Sequence, residues 1–201
     1  MSRLGLLLGL RQPGARLDGT TIHLRPPERA DWAAWCELRS GSRLFLKPWE
    51  PSWAPDALTR AAYRRRLARH AADWRDGEAY SFFLIRNQDS RILGGIGLSN
   101  VRRGVAETGS VGYWMGEAFA RQGYMTEAVS LVVGFAFEQL QLRRLEAACL
   151  PVNLPSRRLL ERSGFRQEGY AKEYLCIDGV WQDHLLFALL RDSDRWRRPQ
   201  A

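Results

Sequence analysis

Cysteine, histidine and lysine are all scarce in this chain of 201 residues. The three cysteines, Cys36, Cys149 and Cys176, lie far apart, and no C-x-x-C pair occurs. The histidines His23, His70 and His184 are equally scattered. Together these gaps exclude a zinc site or a disulfide framework. They fit a reducing cytosol, with each cysteine read as a small buried hydrophobe. Nor is any apolar run long enough to span a bilayer. The richest, LGLLLGL between Arg3 and Arg11, is short even for a signal peptide and lacks a small-residue cleavage site. Residues 1–19 are therefore expected to be a poorly ordered extension. Internal repeats, low-complexity tracts and long linkers are missing too. One domain over residues 20–190, followed by a polar, basic tail at 191–201, accounts for the chain.

Only Lys47 and Lys172 are lysines among the thirty basic residues, and the formal charge is +8. Such an arginine excess favours anionic partners: a phosphorylated cofactor, RNA or a ribosome surface. The alternative is a solvated basic face with no specific partner. Much of the charge sits in one expected helix over residues 57–76, which carries Arg60, Arg64, Arg65, Arg66, Arg69 and Arg75.

The stretch from Gly109 to Leu140 organises the rest. It opens with strand-like Val111-Gly112-Tyr113-Trp114-Met115 and passes a polar turn to Arg121-Gln122-Gly123-Tyr124-Met125-Thr126. A helix then follows, with Met125, Ala128, Val129, Val132, Val133, Ala136, Phe137 and Leu140 at helical spacing around most of its circumference. So apolar a helix must be buried. Free backbone N–H groups from about Arg121 to Thr126 would converge at its start, where the helix dipole is positive, and form an anion cradle. By contrast, Gly94-Gly95-Ile96-Gly97 lies inside a strand and opens no helix, which excludes a dinucleotide fingerprint.

Around this centre the pattern alternates. Residues 20–25 read as a strand stopped by Pro26-Pro27, and Trp32, Trp35 and Leu38 mark a helix. A Pro- and aromatic-rich loop at 44–53 either lines an acceptor groove or packs onto the core. Strands follow at 80–86 and 91–99, then at 144–150 after the central helix. A helix over 157–163 is expected, with Asn153 as N-cap and Gly164 as its left-handed end. Strands at about 170–177 and 180–190 flank Asp178-Gly179, a hairpin turn. The order is that of a mixed α/β (α+β) domain.

The series VGYWMG…ARQGYMTEA, PVNLPSRRLLERSGF and EGYAKEYLCIDGVWQDH resembles the GNAT acetyltransferases, and within them the RimJ/RimL type that acetylates protein N-termini, especially ribosomal-protein-alanine N-acetyltransferases. FLKPWEP and GLSNVRRG match the same subgroup, so the resemblance covers roughly residues 20–190. It implies a GNAT fold, a central mixed sheet of about seven strands with helices on both faces. It also implies acetyl-CoA as co-substrate and no metal. The family's cradle pattern is Gln/Arg-x-x-Gly-x-Gly/Ala, of which only Gly123 matches its glycines here. Because a cradle works through main-chain N–H groups, Arg121, Gln122, Gly123, Tyr124, Met125 and Thr126 remain its candidates. The resemblance lays the pantetheine arm along Tyr113, Trp114 and Met115. It assigns Asn153 to the pantetheine amide and Ser156 to the sulfur end.

The implied chemistry is direct attack of an amine on the thioester. The oxyanion needs a donor, for which a main-chain N–H near Tyr113–Met115 is placed. The departing thiolate needs a proton, for which the Ser156 hydroxyl is the candidate relay. An N-terminal amine, with a pKa of about 7.7–8 against about 10.4 for lysine, needs only a weak base or water. Where some RimL-type relatives carry a glutamate, the matching residue is Leu175; Glu50, Glu107, Glu173, Asp183 and His184 remain as candidates, none singled out. The expected activity is cytoplasmic N-α-acetylation of a protein, a ribosomal protein beginning with alanine first among the acceptors. Alternatives are acetylation of a small amine such as an antibiotic or polyamine, and a non-catalytic RNA- or ribosome-binding assembly factor.

Overall fold

The computed structural model of the protein describes residues 15–191. Eight strands form one sheet in the order β1-β2-β3-β4-β5-β6-β8-β7. They are β1 (Leu17–Asp18), β2 (Ile22–Arg25), β3 (Tyr80–Arg86), β4 (Ile92–Arg102), β5 (Thr108–Met115), β6 (Arg144–Cys149), β7 (Arg166–Ile177) and β8 (Val180–Leu190). All neighbours are antiparallel except β5 and β6, which are parallel and are joined through the central helix. The strand beyond expectation is β1, two residues inside the stretch assigned to an extension, paired to β2 through Leu17↔Leu24. The signal-like run of residues 1–14 and most of the C-terminal tail lie outside the described residues.

Alternation along β3 assigns its two faces. Phe82 and Leu84 join the larger core with α4 (Tyr124–Gly134) and α5 (Leu154–Arg162), whereas Phe83 and Ile85 join a smaller cluster with Trp35 of α1 (Trp32–Gly41) and Tyr63 of α3 (Arg60–Asp76). Helices therefore cover both faces. Met125, Ala128, Val129, Val132 and Val133 of α4 are all buried, and each large apolar side chain so buried stabilises the fold by about 1.5–3 kcal/mol. The helix does not run regularly to Leu140. It widens into a π-helical turn at Phe135–Gln139, where the Leu140 N–H donates to the Phe135 carbonyl at 3.0 Å. Phe135, Ala136 and Phe137, three consecutive residues of this turn, are all buried.

Other elements follow local rules. Thr59 caps α3 by accepting the Ala62 N–H at 3.2 Å, and Gly77 at φ 74° ends it. Asp178 (φ 46°) and Gly179 (φ 82°) make the β7–β8 turn. The aromatic loop is more ordered than expected: it contains a short helix, α2 (Arg43–Leu46), and a 3₁₀ turn at Lys47–Trp49. Among the described residues no helix is long and apolar enough to cross a membrane.

Candidate functional site

The site begins where the sheet stops being continuous. β5 pairs with β6 only through Thr108↔Arg144, Gly109↔Leu145 and Ser110↔Glu146, although β4 accompanies it as far as Met115. Past Ser110 the two parallel strands part, and one edge of β5 stays open. Gly116 donates its N–H to Leu93 of β4 at 2.8 Å. Hydrogen-bonding direction alternates along a strand, so Trp114 and Gly112 also turn to β4, while Tyr113 and Met115 offer N–H and C=O to the open edge. This is the main-chain row expected near Tyr113–Met115.

β5 leads through a 3₁₀ turn at Glu117–Phe119 to the start of α4. Phe119 is buried, with the guanidinium groups of Arg86 and Arg91 over its ring at 5.4 and 5.5 Å, which brings positive charge beside the loop. Arg121 (φ 61°) and Gly123 (φ 89°) take left-handed conformations that turn the chain into the helix. The main-chain N–H groups of Arg121 to Met125 have no bond within the protein among the described residues. That of Thr126 differs from expectation, because it donates to the Gly123 carbonyl at 3.0 Å. A Cβ placed on Gly123 or on Gly112 would meet nothing within 4 Å, so both stand beside open space. The arrangement fits a phosphate-bearing group held by main chain at a helix N-terminus. Side chains contribute little: Met125 is buried in the core, and the Gln122 amide donates to the Ala118 carbonyl at 3.0 Å.

Across the gap stands α5, which begins at Leu154, earlier than expected. Asn153 is its N-cap, accepting the Ser156 N–H on Oδ1 at 3.1 Å, and Pro155 sits in the first turn. The Ser156 hydroxyl lies 2.8 Å from the Tyr113 hydroxyl, joining α5 to the open end of β5. Burial pushes the Tyr113 phenol up to about 12, with the Ser156 bond acting against it. Burial also raises the Cys149 thiol at the end of β6, again opposed by the Ser156 hydroxyl. Ser156, Tyr113 and Asn153 are thus brought together beside the open edge. Trp114 is not among them, since its ring packs on the opposite face with the smaller core.

On that opposite face lies a cluster that sequence reasoning missed. Arg39 binds both carboxylate oxygens of Glu50 at 2.7 Å and stacks over Trp53 at 4.3 Å and Trp114 at 4.7 Å. Trp53 Nε1 donates to the same carboxylate at 2.9 Å. The tryptophans and Glu50 were visible as a loop signal, but Arg39 carries no mark in an ordinary helix. The loop also reaches the last hairpin, where the Asp178 N–H donates to the Glu50 carbonyl at 3.0 Å and Lys47 lies 3.5 Å from the Asp178 carboxylate.

Glu50 is therefore already engaged as a candidate base. Glu107 pairs with Arg103 at 3.2 Å and accepts the Gly104 N–H. The Tyr170 hydroxyl and the Glu173 N–H both donate to Asp183, holding its carboxyl below the usual range. Glu173 and Leu175 are exposed on β7. His184 is buried, and its Nδ1 faces the Gln182 carbonyl at 2.9 Å. A carbonyl only accepts, so Nδ1 carries a hydrogen. The cysteines are all free, with Cys149 buried and Cys36 and Cys176 half-buried.

A sheet opened between two parallel strands, with a helix N-terminus at the open end and a hydroxyl pair across it, defines a class of acyl-transfer protein. The chain matches the family model described as Acetyltransferase (GNAT) domain over residues 21–166, and it belongs to that family. Within the family it is of the RimJ/RimL type. It is 38% identical over 178 residues to "Probable N-acetyltransferase YjcK" of Bacillus subtilis (strain 168), covering 89% of this chain and 98% of that protein. It is 35% identical over 177 residues to the [Ribosomal protein uS5]-alanine N-acetyltransferase of Escherichia coli (strain K12), covering 88% and 91%. The structure of Mycobacterium smegmatis RimJ in complex with CoA-disulfide superposes with a TM-score of 0.80 at 33% identity, over 84% of this chain and 81% of that one. The chain is an N-acetyltransferase.

Proposed function

We propose that this enzyme transfers the acetyl group of acetyl-CoA to the α-amine of a protein N-terminus, a ribosomal protein beginning with alanine being the leading acceptor. The observation that carries this reading is the one-sided pairing of β5 past Ser110, beside the unpaired N–H groups at the start of α4. Near-complete coverage of the uS5-alanine N-acetyltransferase at 35% identity supports the choice of acceptor. The exposed Arg64, Arg65 and Arg69 of α3 support contact with ribosomal phosphates during that encounter. Three free thiols support a reducing cytosol as its setting.

Bound there, acetyl-CoA supplies an activated acyl group. The residues of this chain do the rest. Main-chain N–H groups of Arg121 to Met125 hold the pyrophosphate, and the open edge at Tyr113 and Met115 pairs with the pantetheine arm. An N–H of that edge donates to the carbonyl oxygen as its charge develops. The Ser156 hydroxyl hydrogen-bonds the departing sulfur while it takes up a proton. The amine itself requires little activation, because a pKa of about 7.7–8 leaves part of it neutral at pH 7.

Mass spectrometry of acetyl transfer from acetyl-CoA tests the reading. The acceptors are peptides beginning with Ala, Ser or Met, with controls whose N-terminus is blocked and whose internal lysine is free. Acetylation of free N-termini alone is the expected result, with alanine fastest. Acetylation only of small amines would replace the acceptor and keep the chemistry.

A further inference from the structure

Ser156 has two close side-chain neighbours, and they differ in what they offer. The Tyr113 hydroxyl is 2.8 Å from Ser156 Oγ, and the Ser156 hydroxyl also acts on the Cys149 thiol, opposing the rise that burial gives it. The Ser156 main-chain N–H is already taken by Asn153. A serine hydroxyl has one hydrogen to give and two lone pairs to receive with. If it donates to Tyr113, nothing is left for a leaving group. If Tyr113 donates instead, the Ser156 hydrogen is free for a third atom. A phenol is the more acidic of the two and so the better donor.

We infer that Tyr113 is a positioning residue for acetyl transfer: its hydroxyl donates to Ser156 Oγ and thereby directs the Ser156 hydrogen at the departing thiolate sulfur. This rests on the acetyl-transfer reading above and adds the side chain of Tyr113, where that reading uses only its main chain. The ring is placed for the task by packing against the larger core, and β5 and α5 meet through this hydroxyl pair.

Acidities decide what kind of help the pair gives. A thiol has an ordinary pKa of about 8.5. Outright transfer of the phenol proton, with its pKa near 12, to a thiolate would run uphill by about three orders of magnitude. Tyr113 therefore keeps its proton throughout. The C–S bond breaks, the C–N bond forms, and the proton lost by the amine is the one that finally rests on sulfur by way of solvent. The hydroxyl pair stabilises the charge on sulfur in between.

Tyr113→Phe removes one oxygen and keeps the packed ring. With acetyl-CoA and an alanine-initiated peptide, kcat is expected to fall about tenfold, the loss of one hydrogen bond, while both KM values stay within about twofold. In a Ser156→Ala background the same change should cost nothing further, because Tyr113 acts through Ser156. Equal melting temperatures for wild type and Tyr113→Phe would show that the loss is not one of folding. A wild-type kcat in Tyr113→Phe, or a full tenfold loss added on top of Ser156→Ala, overturns the inference while leaving acetyl transfer in place. A wild-type protein that acetylates no amine at all overturns both.

Discussion

The first part of β5 is paired on both sides, to β4 and to β6, whereas its last part is paired to β4 alone. At the closed end, Arg144 of β6 binds Glu146 at 2.8 Å and Glu168 at 2.5 Å, and fully buried Leu145 lies opposite Gly109. At the open end, main-chain groups, a helix N-terminus and two hydroxyls face a gap. One strand is thus closed framework in one half and, in the other, the open edge proposed to bind the pantetheine arm. What separates them is the divergence of a neighbour, not a change in composition.

Substitutions at the two ends should therefore fall on different readouts. The largest effect is expected from Gly123→Glu, which puts a charged side chain at φ 89° against the cradle. Acetyl transfer should drop by about three orders of magnitude or more, with the circular dichroism of a folded protein. Leu145→Ala at the closed end should cost about 2–5 kcal/mol in denaturant unfolding, yet leave kcat per folded molecule unchanged. A parallel loss of turnover would show that the two halves are not separable. Ser156→Ala should lower kcat about a hundredfold with little change in KM for acetyl-CoA, measured by thiol release. Asn153→Ala removes a helix cap and should cost about 1 kcal/mol in stability, with a rise in KM if the amide also meets the pantetheine arm.

The smallest effect concerns pH. The Arg144 guanidinium holds the exposed Glu168 carboxyl below its ordinary value of 4.5. A carboxylate with a depressed pKa adds stability that is complete above that value and is lost as pH falls through the lower, folded one. Glu168→Gln should thus destabilise by about 0.2–1 kcal/mol at pH 7 and progressively less below pH 4.5, seen as converging melting curves.

Much of this could be read from residues in order. The apolar circumference of α4, the turn at Gly123, the cap at Asn153 and the hairpin at Asp178-Gly179 are local signals, and each lies where its chemistry puts it. Divergence of β5 from β6 is different in kind, because pairing between distant strands leaves no trace in either one. The Tyr113–Ser156 contact was hidden for the same reason: its partners are 43 positions apart. Trp114 stands beside Tyr113 in sequence but on the other face of the sheet, so adjacency in the motif did not mean adjacency in the site. The two-residue β1 is too short to show an alternating pattern.

The clasp between the aromatic loop and the last hairpin bears on how the protein comes into being. The loop at residues 44–53 leaves the ribosome early, but the Asp178 N–H that fastens the Glu50 carbonyl belongs to the end of the chain. β8, which completes the sheet beside β6, arrives later still. Contacts between such distant segments form slowly, because a long stretch must be ordered before they reward it. A nascent chain can already hold β2 to β5 and α4, with Glu50 bound to Arg39, while the Glu50 carbonyl still lacks its partner from the hairpin. The loop and the last hairpin are thus joined only when synthesis is nearly finished, and a truncated product keeps the open edge of β5 without that clasp.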